Sequence, residues 1–153
     1  MAHPITGGLT ADDVADRAAI TDLFVRYCTA LRTKDVDLFD DVFAPDGVID
    51  YSRLGGSRTG VAETKAWLAA LLGGVEQFYL FVGNSEFEPA ADRRSVRVTT
   101  TWQGLFVPRD GQPLQDYGYY EDLVVRRDEG WRIAERVDYP EALVVATLAP
   151  PLT

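Results

Sequence analysis

From Thr10 onward the apolar residues fall on a helical repeat. Ile20, Leu23, Phe24, Tyr27, Cys28 and Leu31 recur at alternating steps of three and one, which lays them along one stripe of a long helix. Thr10 followed by Asp13 predicts the start of that helix, an N-cap with an acidic third position. Asp35 caps a second helix with Leu38, Phe39, Val42 and Phe43 on its buried face, and Ala44-Pro45-Asp46-Gly47 ends it with turn chemistry. Val48 to Tyr51 reads as a short strand, followed by a loop carrying Gly55, Gly56 and Gly60. Ala62 to Leu72 is a third helix, with Trp67, Leu68, Leu71 and Leu72 apolar, and Gly73-Gly74 stops it.

Beyond Gly74 the pattern becomes that of strands. Phe78 to Phe87 is rich in β-formers, with Gly83-Asn84 as an expected bulge. Ser95 to Val107, Leu114 to Arg127 and Trp131 to Val137 follow, separated by turns at Ala91-Asp92-Arg93, Arg109-Asp110-Gly111-Gln112 and Asp128-Glu129-Gly130. Helices first and antiparallel strands afterwards predict an α+β fold. The helices would cover the concave face of a curved sheet, and a pocket between the two layers is a usual small-molecule site. Residues 1–9 read as a flexible lead, 10–139 as one domain and 140–153 as a C-terminal tail, apolar and proline-ended, in which Asp138 and Tyr139 just before it stay open as candidates.

Composition narrows the chemistry. The chain has 153 residues, the length of one domain. Fifteen Lys and Arg against 24 Asp and Glu give a net charge of −9, which argues against a nucleic-acid partner and against an anionic membrane. No apolar run approaches a membrane span of ~20 residues, and Met1 to Gly8 has neither a basic nor an apolar leader segment, so a cytoplasmic location is expected. Cys28 is a lone cysteine, which excludes an internal disulfide and a multi-cysteine metal site. His3 is the sole histidine and lies in the lead, which argues against a His-rich metal site and a His-based nucleophilic triad. No phosphate-binding, dinucleotide-binding, serine-hydrolase or metalloprotease motif is present, and no cofactor is expected.

The turn at 109–112 sets an expected register. A four-residue hairpin loop pairs Trp102 with Tyr119, Thr100 with Glu121, Gly104 with Tyr117 and Val98 with Leu123, all on one face. That face holds three aromatics and one carboxylate, Glu121. Burial among aromatics would raise the Glu121 pKa and suit it to proton transfer; the alternative is a Glu121 that faces solvent or pairs with an arginine. Tyr51, at the end of its strand, could donate to a carbonyl or a developing oxyanion, or serve as a core tyrosine bonded to the backbone.

Several stretches resemble the SnoaL-like branch of the NTF2-like superfamily. They are Ile20-Thr21-Asp22-Leu23-Phe24-Val25-Arg26-Tyr27-Cys28, Lys34-Asp35-Val36-Asp37-Leu38-Phe39, Phe43-Ala44-Pro45-Asp46-Gly47-Val48-Ile49-Asp50-Tyr51, Phe81-Val82-Gly83-Asn84 and Gly130-Trp131-Arg132-Ile133-Ala134-Glu135-Arg136. The resemblance covers about residues 12–139. It implies a cone: a curved antiparallel sheet wrapped around three helices, an apolar cavity, and a homodimer or higher homo-oligomer. Relatives of this kind include scytalone dehydratase, bile-acid dehydratases, polyketide cyclases and ketosteroid isomerase. The aspartate–histidine dyad of the dehydratase-like members falls on Arg32 and Leu80 and is absent, whereas the tyrosine after Ile-Asp is kept as Tyr51.

The leading expectation is therefore a cofactor-independent acid–base enzyme acting on a hydrophobic, ring-bearing, polyketide- or steroid-like molecule by cyclisation, isomerisation or dehydration. In it Glu121 is the acid/base, Tyr51 and Tyr119 are hydrogen-bond donors, and Tyr27, Leu31, Leu80, Trp102 and Tyr117 line the pocket. Two other classes stay open: a binding module with a cavity and no chemistry, and a dimerisation domain whose cavity is collapsed by Trp102 and Phe81.

Overall fold

The computed structural model describes residues 8–149. The expected lead lies mostly outside them, as does His3. Helix α1 runs Ala11–Thr33 and opens with the expected capping box. The Asp13 amide donates to the Thr10 hydroxyl (3.1 Å), and the Thr10 amide donates back to the Asp13 carboxylate (2.8 Å). Together they satisfy two donors that a helix start leaves unpaired. At the other end Lys34 turns left-handed (φ 61°), and its amide caps the carbonyls of Ala30 and Leu31. The second expected helix is a single 3-10 segment, Val36–Asp41. Helix α2 spans Val61–Gly73.

The strands are β1 (Phe43–Asp50), β2 (Arg58–Gly60), β3 (Val75–Pro89), β4 (Ser95–Pro108), β5 (Leu114–Arg127) and β6 (Gly130–Val145). They form one sheet in the order β2-β1-β6-β5-β4-β3. All pairs are antiparallel except β1 with β6, which run parallel. Two features depart from expectation at β1. Ala44 to Gly47 does not end a helix but forms an irregularity inside the strand, between the pairings of Phe43 and Val48. Beyond the following loop, the three residues of β2 add an edge strand that the glycines there had concealed. The expected bulge at Gly83-Asn84 is present, with Asn84 at φ 51° and a register break between Gly83 and Glu86.

The core lies between α1 and the inner face of the sheet. The α1 stripe supplies Ile20, Leu23, Phe24, Tyr27 and Leu31, all buried, and Cys28 at its edge. β4 contributes Val96, Val98 and Trp102 at alternate positions. β6 runs past the expected boundary at 139 to Val145, so the first part of the tail is strand. Among the described residues, no helix is long and apolar enough to cross a membrane.

Candidate active site

The register of β4 against β5 decides which side chains enter the space under the helices. Trp102 pairs with Gly118, Thr100 with Tyr120, Val98 with Asp122 and Gly104 with Asp116. This is one residue away from the expected register, and a slip of one exchanges the two faces of a strand. The inner face of β5 therefore presents Asp116, Gly118, Tyr120 and Asp122. Tyr117, Tyr119 and Glu121 point outward. Glu121 is exposed among Glu86, Glu88, Arg97 and Glu135. Tyr119 stacks on Tyr139 (4.8 Å between ring centroids) beneath Arg53. Tyr117 is also exposed. These three residues are corrected out of the pocket.

The other expected residues do meet. Tyr27, Leu31, Tyr51, Leu80 and Trp102 line one cavity of about 290 Å³. Its wall continues through Trp67, Leu68 and Leu72 of α2, and through Phe78 and Phe106 of β3 and β4. It is not collapsed: Trp102 forms a wall, and Phe81 faces away from it with two-thirds of its surface exposed. The hydroxyls of Tyr27 and Tyr51 are 2.6 Å apart. One donates to the other, and the second proton has no acceptor recorded among the described residues. Burial raises the pKa of Tyr27, and raises that of Tyr51 well above the usual phenol range, so both stay protonated donors near neutrality. Tyr120, which the observed register turns inward, packs against Trp102 and edge-on to Tyr27, each at 5.8 Å.

Two carboxyls line this space, Asp116 and Asp138, and the one set among the phenols is Asp138, the cross-strand partner of Tyr120. It is buried, and the Trp102 indole N–H donates to its Oδ1 at 3.1 Å. It makes no ion pair among the described residues. Burial pushes its pKa up to about 7, against the pull of Arg136 and of the Trp102 hydrogen bond, and with a smaller push from Asp116 and Asp122. Asp138 faces inward because β6 carries a bulge. Ile133 pairs with Val124 and Glu135 with Leu123, so the strand's alternation changes phase between them. Trp131 and Ile133 are buried before the bulge, Arg136 and Asp138 after it.

Beneath the phenols lies a second buried pair. Arg136 donates from Nε and Nη2 to both oxygens of Asp122, at 2.8 and 2.7 Å. Its guanidinium is held between the rings of Tyr27 (4.3 Å) and Tyr120 (4.1 Å). Burial disfavours the cation, but Asp122 and the surrounding phenols outweigh that cost and keep it charged. Burial likewise raises the Asp122 pKa, opposed by Arg136. The pairing of a strand carboxylate with an arginine, weighed for Glu121, thus occurs at its neighbour.

A family of SnoaL-like domains matches residues 12–137, and the chain belongs to it. An uncharacterised protein of Mycobacterium tuberculosis is 34% identical over 130 residues, covering 85% of this chain and 88% of its own, and one from Mycobacterium bovis matches equally. The fold is that of NTF2-like proteins. A Novosphingobium aromaticivorans protein assigned as a scytalone dehydratase superposes with a TM-score of 0.81 at 16% identity, covering 92% of this chain and 94% of that one. A hexachlorocyclohexane dehydrochlorinase from Novosphingobium barchaimii gives 0.79 at 18%, covering 92% and 98%. An NTF2-like superfamily protein from Salmonella enterica gives 0.73 at 17%, covering 86% and 94%.

Proposed function

We propose that the protein is an acid–base enzyme, independent of any cofactor, that moves a proton on a hydrophobic ring-bearing small molecule. The observation that carries this reading is Asp138: a carboxyl buried in an aromatic cavity, bonded by one indole N–H and titrating near neutrality. A group of that kind can both take and return a proton at working pH. Its ionised form removes a proton from carbon next to a carbonyl. The C–H electron pair becomes an enolate, and the Tyr27–Tyr51 pair donates a hydrogen bond to its oxygen. The pair of electrons then takes back the proton at another carbon, attacks a second carbonyl whose π pair moves to oxygen and takes the proton from Asp138, or expels a β-hydroxyl that leaves as water with the proton. These outcomes are isomerisation, cyclisation and dehydration. The names of two structural neighbours, a dehydratase and a dehydrochlorinase, describe eliminations that likewise begin or end with proton removal.

The test uses tetralone as a probe, with exchange of its α-hydrogens in heavy water followed by NMR. Wild-type protein is expected to accelerate exchange, and Asp138→Asn to lower the enzymatic rate by roughly 100-fold or more. Glu121→Gln should leave it unchanged. Undiminished exchange in Asp138→Asn would remove Asp138 from the chemistry. Binding without exchange would instead favour a carrier with no reaction.

A further inference from the structure

The inner face of the sheet carries another carboxyl that proton transfer at Asp138 does not use. Asp116 lies on β5 opposite Gly104 of β4 and Leu143 of β6, and it lines the same cavity. Its Oδ1 is buried and has no hydrogen-bond partner among the described residues. Gly104 makes the space for it, because a Cβ there would overlap that oxygen. Buried polar atoms are nearly always satisfied; Oδ1 is closed against Gly104, so a ligand group would meet this carboxyl from the cavity that Asp116 lines. A carboxylate oxygen only accepts, so the complementary group must carry a hydrogen to donate.

The position of Asp116 gives the ligand a length. Asp116 and Tyr120 are four residues apart on one face of β5, which is roughly 13 Å along the strand. Tyr120 pairs with Asp138, so the unsatisfied acceptor and the proton carrier mark two ends of one space. The Trp102 indole lies over Gly118 between them, since a Cβ at Gly118 would strike the indole at 2.6 Å. That flat, dry stretch suits ring carbons and offers them no hydrogen bond.

We infer that Asp116 is a ligand-binding residue that accepts a hydrogen bond from a hydroxyl on the far ring of an elongated, two- to three-ring ketone, whose carbonyl end lies among Tyr51, Tyr27 and Asp138. The inference rests on the proposed function, and it adds the substrate feature that the cavity selects. A ligand oxygen without a hydrogen, such as a methyl ether, meets a repulsive acceptor there and also needs more room.

Binding separates this inference from the reading beneath it. The probes are a hydroxytetralone bearing its hydroxyl on the aromatic ring, its methyl ether, and unsubstituted tetralone. Each is titrated in neutral buffer while the emission of the cavity tryptophans is followed. Wild-type protein should bind the hydroxyl compound roughly tenfold more tightly than either of the others. Asp116→Leu should remove that preference. Asp116→Asn, nearly identical in shape, should shrink it, because its amide donates to the ether. Equal binding of all three by wild type, as when a water alone satisfies Oδ1, overturns the role of Asp116 and leaves the proposed function standing. So does a hydroxyl preference that survives in both variants. Failure of all three to bind overturns the ring-ketone reading itself, and this inference with it.

Discussion

Asp122 and Asp138 occupy the same face of the same sheet, on neighbouring strands, and both are buried. Asp122 has both oxygens on one guanidinium, and that guanidinium is clasped by two tyrosine rings. Asp138 has one indole N–H and faces an open cavity. The first is committed to structure: its charge is neutralised and its geometry closed. The second is left with free acceptor capacity and a pKa near neutrality. Burial alone therefore does not distinguish a catalytic acid from a structural one. What distinguishes them is whether the fold has already supplied the partner.

The largest effect is expected at the closed pair. Arg136→Met leaves Asp122 buried and uncompensated, and should cost about 3–5 kcal/mol in urea unfolding. Replacing both partners by apolar residues, as in Arg136→Met with Asp122→Leu, should recover much of that loss. A double variant as unstable as the single one would show that the pair contributes more than mutual neutralisation.

The open acid should behave in the opposite sense. The Asp138 pKa is higher in the folded protein, about 7, than in an unfolded chain. The folded state thus holds the proton more tightly, and stability is greatest below the ordinary carboxylate pKa. It falls as pH rises from about 4 to about 7, by up to about 4 kcal/mol from this group. Asp138→Asn removes that dependence, so the variant should be more stable than wild type at neutral and alkaline pH and close to it only near pH 4 and below. Thermal melts across the range would reveal this. A constant difference between the two proteins would mean that Asp138 is not raised.

Smaller effects are expected at the phenol pair. Tyr51→Phe strands the Tyr27 hydroxyl in dry surroundings and should cost about 1–2 kcal/mol in unfolding. It should also slow proton exchange on tetralone roughly tenfold by removing an oxygen donor. The double variant with Tyr27→Phe should cost less than the sum of the two single changes, and strict additivity would mean that the 2.6 Å contact carries no coupling. The smallest effect belongs to the outer face: Glu121→Gln should change stability by no more than about 0.5 kcal/mol.

Much of the frame was legible in the sequence because its signals are local. The α1 stripe, the Thr10–Asp13 capping box and the bounds of β4 and β5 follow from apolar spacing and turn residues, and the structure keeps them. Tyr27, Leu31, Tyr51, Leu80 and Trp102 also arrived in the cavity as expected. Tyr27 and Leu31 did so because they sit on a helix whose buried side was set by its own periodicity. The 3-10 segment at Val36–Asp41 and the parallel pairing of β1 with β6 were not legible, since the residues to which they answer are distant in the chain.

The acid was the hardest feature to place, for a related reason. Both faces of β5 mix polar and aromatic residues, so its inward side depends on a register that the turn at 109–112 did not specify by loop length alone. Trp102 settles it: the indole needs the empty space over Gly118, and a residue with a side chain cannot take that position. In β6 the phase change between Ile133 and Glu135 turns Arg136 and Asp138 inward. Unlike the bulge at Gly83-Asn84, this one carries no glycine and leaves little trace in the local sequence, because it is a response to strands that twist and close on their neighbours. Sequence alone determined the class of fold and the aromatic character of the cavity. Tertiary structure alone decided which carboxyl enters it, because a strand's two faces differ by a single residue of register and only long-range packing chooses between them.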